Sequence, residues 1–292
     1  MATKPQVLVL GPGGFKNFTQ LGALLCLEKA HFLDSVTTFA GVGVGAVIAL
    51  LLASGYKAET LIDQATRNEL FQELSHINFA QLGNQSGLIS NEALKVHLQH
   101  LIREKLGLVP TLGQFYQATG NHYMAVTYNL TQSRTEYITK ESWTTLSCVD
   151  AAMLSVQIPL LFYRLRHQNS YYIDGSFGDP YPMKMFDDGK TNVLGIYTET
   201  EGTCEAMVSY CYKVLSAPID QLKRHIQQTC STRCLHLTLK SGFTDSLTPS
   251  DQQKSEMVAS GFQTAQEFLK PVNSAEVIIL GSDSPRSRPE GA

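Results

Sequence analysis

Phe39-Ala40-Gly41-Val42-Gly43-Val44-Gly45-Ala46-Val47-Ile48-Ala49-Leu50-Leu51-Leu52 reads as the end of a strand, a tight glycine turn and a helix. The helix is apolar on almost every side, and such a helix belongs in the middle of a fold, covered all round. The turn has the Gly-x-?-x-Gly frame of a nucleophile elbow. In that motif the middle residue is a serine, held in a strained backbone conformation at the head of a helix. Glycine stands on either side because neighbouring backbones pass too close for a side chain. Here the flanks are Gly41 and Gly45 and the middle residue is Gly43. The frame is present and the oxygen is missing.

Upstream, Gln6 to Leu10 has the branched apolar residues of a buried parallel strand. The glycine-rich loop Gly11-Pro12-Gly13-Gly14-Phe15-Lys16-Asn17 follows, then an apolar-faced helix from Thr19 to Ala30 and a second strand from Thr37 to Ala40. Gly55 is placed to cap the elbow helix, which spans Val44 to Ser54. Strand, glycine loop, helix, strand, glycine turn, helix is an α/β beginning with a parallel sheet. Loops at the carboxyl ends of such strands gather on one sheet edge, so the Gly11–Asn17 loop and the Gly41–Gly45 turn are expected to face each other.

Downstream, helices are predicted over Thr60–Leu74, Asn91–Lys105 (apolar at Leu94, Val96, Leu98, Leu101 and Ile102), Thr111–Ala118 and Val149–Gln157. His76–Ser90 is less regular. His122–Leu130 and Thr135–Thr139 read as strands meeting at a turn, and Tyr171–Ile173, Val193–Tyr197 and Arg233–Leu239 as further strands. One or two helices interrupted near Pro218 are expected over Cys204–Gln228, and a helix capped by Ser250 or Asp251 over Asp251–Leu269. Val277–Leu280 is left as a strand or a loop. The pattern gives one domain over residues 1–281 and a tail, 282–292, without an apolar anchor.

The chain has 292 residues, 43% of them hydrophobic, which is enough for a large core. A net charge of −3 gives no general attraction to nucleic acid or to an anionic membrane. Lys4 and Pro5 lead straight into a strand, so no signal peptide is read, and the apolar run Val42–Ala53 is too short to span a bilayer. The expected setting is intracellular, cytoplasmic or peripheral to a membrane. The six cysteines, Cys26, Cys148, Cys204, Cys211, Cys230 and Cys234, are scattered and read as free thiols. Cys230, Cys234 and His236 also suggest a metal, but no second ligand pair stands at a zinc-like distance, so no metal and no cofactor is assigned.

Three stretches, in order, make the chain resemble the patatin-like phospholipase family. The first is the loop Pro12-Gly13-Gly14-Phe15-Lys16-Asn17 with Gly22 beyond it, the second the elbow Gly41–Gly45, and the third Asp174-Gly175-Ser176 with Pro182 eight residues past the aspartate. Ser155-Val156-Gln157-Ile158-Pro159 and Gly87-Leu88 add to the likeness, which runs from about Gln6 to Tyr197. It implies a three-layer α/β/α fold with a central, mostly parallel sheet. It also implies a Ser–Asp dyad for acyl-ester hydrolysis, with an oxyanion held by the first glycine loop. Such chemistry needs an oxygen nucleophile, a positioned base and donors aimed at the developing charge.

On that pattern the nucleophile position is Gly43 and the base position is Asp174, in a motif completed by Gly175 and Ser176. Asp174 has a second reading, as a turn residue that stiffens its loop. Gly13, Gly14 and Lys16 remain for anion binding, while Pro12 brings no N–H and Asn17 replaces a glycine. Of the serines nearest the site in sequence, Ser35, Ser54 and Ser155, none lies in an elbow, and Ser155 reads as helix packing or capping. Three departures from the pattern point to natural loss of the chemistry. The resemblance therefore implies an inactive family member that binds a lipid or fatty-acyl ligand, or a protein partner or its own copies. An active acyl hydrolase using water or a displaced hydroxyl, and a purely structural subunit, are the rival readings. The elbow's packing residues also resemble patatin-like proteins of large DNA viruses, which implies a virion or assembly role.

Overall fold

In the computed structural model, residues 4–67, 82–201, 207–242 and 249–280 are described. Strand β1 (Val7–Leu10) leads through a single 3-10 turn (Gly14–Lys16) into α1 (Asn17–Lys29). Then come β2 (Thr38–Val42), α2 (Val44–Ala53), α3 (Ala58–Arg67), the short α4 (Leu82–Gln85), β3 (Gly87–Ile89), α5 (Glu92–Leu106) and α6 (Leu112–Thr119). The hairpin β4 (His122–Asn129) and β5 (Arg134–Ile138) precedes α7 (Cys148–Ser155), β6 (Leu160–Phe162), β7 (Leu165–His167) and β8 (Ser170–Asp174). The chain continues as β9 (Val193–Glu201), α8 (Met207–Thr229), β10 (Cys234–Gly242) and α9 (Asp251–Leu280).

The main sheet runs β10-β9-β1-β2-β4-β8-β7, with β5 also on β4. Its β10–β9–β1–β2–β4 portion is parallel; β5 and β8 pair antiparallel with β4, and β7 pairs antiparallel with β8. Strand side chains alternate between faces. Leu8 and Leu10 join the larger core, formed with α1, α2, α5, α7 and α9, while Val7 and Val9 join a smaller one that Tyr181, Met183 and Ile226 of α8 complete. This is the three-layer α/β/α arrangement with a mostly parallel sheet. Gly45 to Ala53 of α2 are all buried, in keeping with a helix that has no polar face. Helices α1 and α9 pack backbone to backbone. A β-carbon at Gly22 would stand 2.0 Å from the Val258 carbonyl oxygen, and one at Gly261 would stand 1.9 Å from that of Thr19.

Several expectations are corrected. Residues 207–229 form one helix that runs through Pro218 without the expected interruption. Proline removes one backbone donor and crowds the carbonyl four residues back. That carbonyl belongs to Val214, which like Pro218 lies on the solvent-exposed side, where water can serve it. Val277–Leu280 is neither strand nor loop but the end of α9. Val96 is 55% exposed and off the apolar face of α5, which buries Leu98, Leu101 and Ile102. The irregular stretch before Ser90 contains α4 and β3. The three-residue strands β6 and β7 are too short to show a period. The remainder of the Thr60–Leu74 helix and the 282–292 tail lie outside the described residues. Among the described residues no helix is long and apolar enough to cross a membrane.

Candidate active site

Sheet register builds the site. Val42, the last residue of β2, pairs with Val126 of β4, and the next β4 residue, Thr127, pairs with Asp174 at the end of β8. Gly43 follows Val42, so the elbow and the aspartate arrive at the same level from opposite sides of β4. Gly43 has φ +59° and ψ −132°, a conformation that side chains rarely adopt and that strains a residue other than glycine, and it opens α2. The frame glycines are there for room. A β-carbon at Gly41 would lie 2.4 Å from the Gly45 carbonyl oxygen, and one at Gly45 would lie 2.5 Å from that of Leu10 and 2.6 Å from that of Gly11. The first glycine loop and the elbow therefore face each other in contact, as the strand order requires.

At Gly43 itself the obstacle is not backbone. Its absent β-carbon would stand 2.8 Å from Asp174 Oδ2. The carboxylate has thus settled against the position from which a nucleophile would project. Asp174 is buried; its other oxygen, Oδ1, accepts the Ser176 N–H at 2.8 Å, and its own N–H donates to the Gln157 carbonyl at 2.8 Å. Burial pushes its carboxyl up to about 6, against the opposing pull of hydrogen bonds from Ser176. Gly175 gives β4 its close approach, since a β-carbon there would lie 2.1 Å from the Val126 carbonyl oxygen.

Ser155, at the end of α7, is the residue whose role the sequence hid. Its hydroxyl accepts the Gly43 N–H at 2.9 Å and donates to the Val126 carbonyl at 2.5 Å. It is fully buried, with both bonds committed to holding the elbow. It serves as a positioning residue: Ser155→Ala leaves the Gly43 N–H buried without its acceptor, an expected loss of about 1–2 kcal/mol in urea unfolding. An unchanged transition midpoint would show that the bond does no positioning. The nearest motif, Ser155-Val156-Gln157-Ile158-Pro159, signals this site only through the resemblance, because 112 residues separate the serine from Gly43.

In the first glycine loop, Gly14 takes φ +55°, and the Asn17 side chain folds back over Gly13, its Oδ1 1.9 Å from where a β-carbon on Gly13 would be. Asn17 is buried, and neither end of its amide has a hydrogen-bond partner among the described residues. Lys16 is buried too, and its ammonium is held down to about 8 by burial, with Asp220 of α8 opposing and Lys223 and Lys213 adding to the depression. Its charged neighbours are thus on α8. Elsewhere, His31 is exposed beside Asp34, His122 packs at a tilt on Tyr116, His236 Nδ1 meets the Tyr181 hydroxyl at 3.1 Å, and Ser54 bonds the Leu50 carbonyl. None of these reaches Asp174. Cys26, Cys148, Cys230 and Cys234 are free thiols.

A family model described as patatin-like phospholipase matches residues 8–187. A probable lipid hydrolase, 463L, of Invertebrate iridescent virus 6 is 26% identical over 183 residues, which are 62% of this chain and 62% of that protein. An uncharacterized protein, R571, of Acanthamoeba polyphaga mimivirus is 28% identical over 198 residues, 65% of this chain and 64% of that one. The chain thus spans just under two thirds of the length of these two relatives. In architecture it is similar to VipD from Legionella pneumophila, with a TM-score of 0.58 and 16% identity over 93% of this chain and 67% of that one.

Proposed function

The chain belongs to the patatin-like phospholipase family, and we propose that it keeps that family's frame while no longer making an acyl-enzyme, acting by binding instead. The observation that carries this is Gly43, which has no side chain and has the Asp174 carboxylate standing where its β-carbon would need room. Loss of a triad-type nucleophile removes a factor of about a million in turnover. Pro12 and the Asn17 amide over Gly13 support the same reading, since one supplies no N–H and the other fills the loop. The ligand in this reading is a lipid or fatty-acyl chain, in line with the name of the iridescent virus relative, with a protein partner or a second copy of the chain as the alternative. The two viral relatives support a virus particle or its assembly as the setting.

A short-chain nitrophenyl ester is expected to be hydrolysed at the buffer rate, and native mass spectrometry of the purified chain to retain lipid. A robust rate that Asp174→Asn abolishes would overturn the proposal. One observation favours a second reading, in which Asp174 activates a water directly: a carboxyl titrating near 6 is ionised at neutral pH yet basic enough to take a proton. Its signature is a pH–rate limb near 6 that disappears in Asp174→Asn.

A further inference from the structure

At the other end of the sheet, where β9 and β10 begin, three ligand-bearing side chains converge. Cys230 follows α8, Cys234 opens β10, and Asp187 follows the 3-10 turn Pro182–Met185. Their Sγ, Sγ and carboxylate oxygen atoms all lie within 4.8 Å of one another. We propose that Asp187, Cys230 and Cys234 form a site for a single thiophilic divalent cation of the zinc type, with its fourth position open to solvent.

The local chain explains why the three meet. The turn between the cysteines closes on itself, Cys234 N–H donating to the Ser231 carbonyl at 3.1 Å, which swings two thiols four residues apart toward one side. Asp187 is fixed by the same turn. One of its oxygens accepts the Ser231 N–H at 2.9 Å and the other accepts the Ser231 hydroxyl. A carboxylate oriented by second hydrogen bonds is the usual state of a metal ligand. Lys184, a cation acting on Asp187 and Cys230, donates its ammonium to the Thr229 carbonyl. His236, grouped with the two cysteines by sequence, is turned toward Tyr181 and is not in the cluster.

The donor set selects the ion. Two sulfurs and one oxygen disfavour calcium and magnesium, which take oxygen ligands, and suit zinc. Tetrahedral ligand atoms at zinc bond lengths sit roughly 3.5–3.8 Å apart, within a small side-chain rotation of the observed spread. Cys234 is buried while Cys230 and Asp187 are half-buried, which gives an entry path. Binding replaces the two thiol protons, which are released to solvent as the two sulfur–metal bonds form. The ion would tie the α8–β10 turn to the segment just after Pro182–Met185, close in sequence to Tyr181 and Met183 of the smaller core.

The test uses the full chain, reduced with a phosphine and stripped with a chelator, then titrated with cobalt(II) and afterwards zinc. One equivalent of cobalt is expected to give sulfur-to-cobalt charge-transfer absorption, and one equivalent of zinc to remove it. Asp187→Asn, which removes one of the three ligands, should weaken zinc by at least about 10-fold, and the double substitution C230S/C234S should abolish the band. Zinc should also slow alkylation of Cys230 in the unsubstituted chain, a readout that needs no variant to fold. The proposal is overturned by absence of the band, by its survival in C230S/C234S, by a Cys230–Cys234 disulfide persisting in its place, or by an alkylation rate at Cys230 that zinc leaves unchanged.

Discussion

Gly43→Ser is expected to destabilise the protein by about 2–6 kcal/mol and to leave ester hydrolysis at background. Two physical terms set the first number. A side chain at φ +59°, ψ −132° is strained by about 1–3 kcal/mol. The new β-carbon, 2.8 Å from Asp174 Oδ2, also has to push the carboxylate aside, an overpacking term of about 1–3 kcal/mol. The carboxylate can rotate only by disturbing its bond from the Ser176 N–H, because the β8 end that bears it is held by Gln157. Hydrolysis stays low for a separate reason: the serine restores an oxygen but not the loop opposite, where Pro12 has no N–H and the Asn17 amide lies over Gly13. Turnover is therefore expected only when Pro12→Gly and Asn17→Gly accompany Gly43→Ser. Urea unfolding and a nitrophenyl ester assay on the single and triple variants measure both halves. A single variant that folds as well as the parent and hydrolyses ester briskly would show that the whole site had been waiting for one hydroxyl.

The parts of this site that the sequence displays are those fixed by backbone. Gly41, Gly45 and Gly175 are glycine because carbonyl groups occupy the space beside them, and that need leaves a mark at the residue itself. The parallel order β9-β1-β2-β4 follows from alternating strands and helices, and the contact between the Gly11 loop and the elbow follows from that order. What stays hidden is side-chain direction over long separations. Nothing around Ser155 says that its hydroxyl will reach the Gly43 amide, and nothing around Asn17 says that its amide will fold over Gly13. Lys16 reads as an anion ligand in its loop, yet its charged neighbours come from α8, some 200 residues on. Asp187 is invisible beside Cys230 and Cys234 for the same reason, while the adjacent His236 looks like their partner and is not.

Asp174→Asn is expected to stabilise the folded protein at pH 8, by up to about 3 kcal/mol, with the gain shrinking as the pH is lowered. The folded-state pKa of Asp174, about 6, lies above its ordinary value of 3.8. Between those values the folded chain holds a proton that the unfolded chain has released. The contribution of this group to stability is thus fully present below about pH 4, declines as the pH rises through 6, and is absent above it. A shift of this size corresponds to about 3 kcal/mol, because each pKa unit is worth about 1.4 kcal/mol. Asparagine has no charge to bury and can still accept the Ser176 N–H, so it escapes the decline. Paired urea titrations of parent and variant from pH 4.5 to 8 measure the difference directly, and other titrating groups cancel in the pair. A variant less stable than the parent at pH 8 would mean that the ionised carboxylate is welcome where it sits, and would sink the account of Asp174 as a desolvated charge. The same pair of proteins carries the functional question. A carboxylate retained at a standing cost, with no nucleophile left to serve, fits a frame inherited from an acyl hydrolase; one whose loss also erases a pH-dependent ester rate would mean that it still abstracts a proton from water.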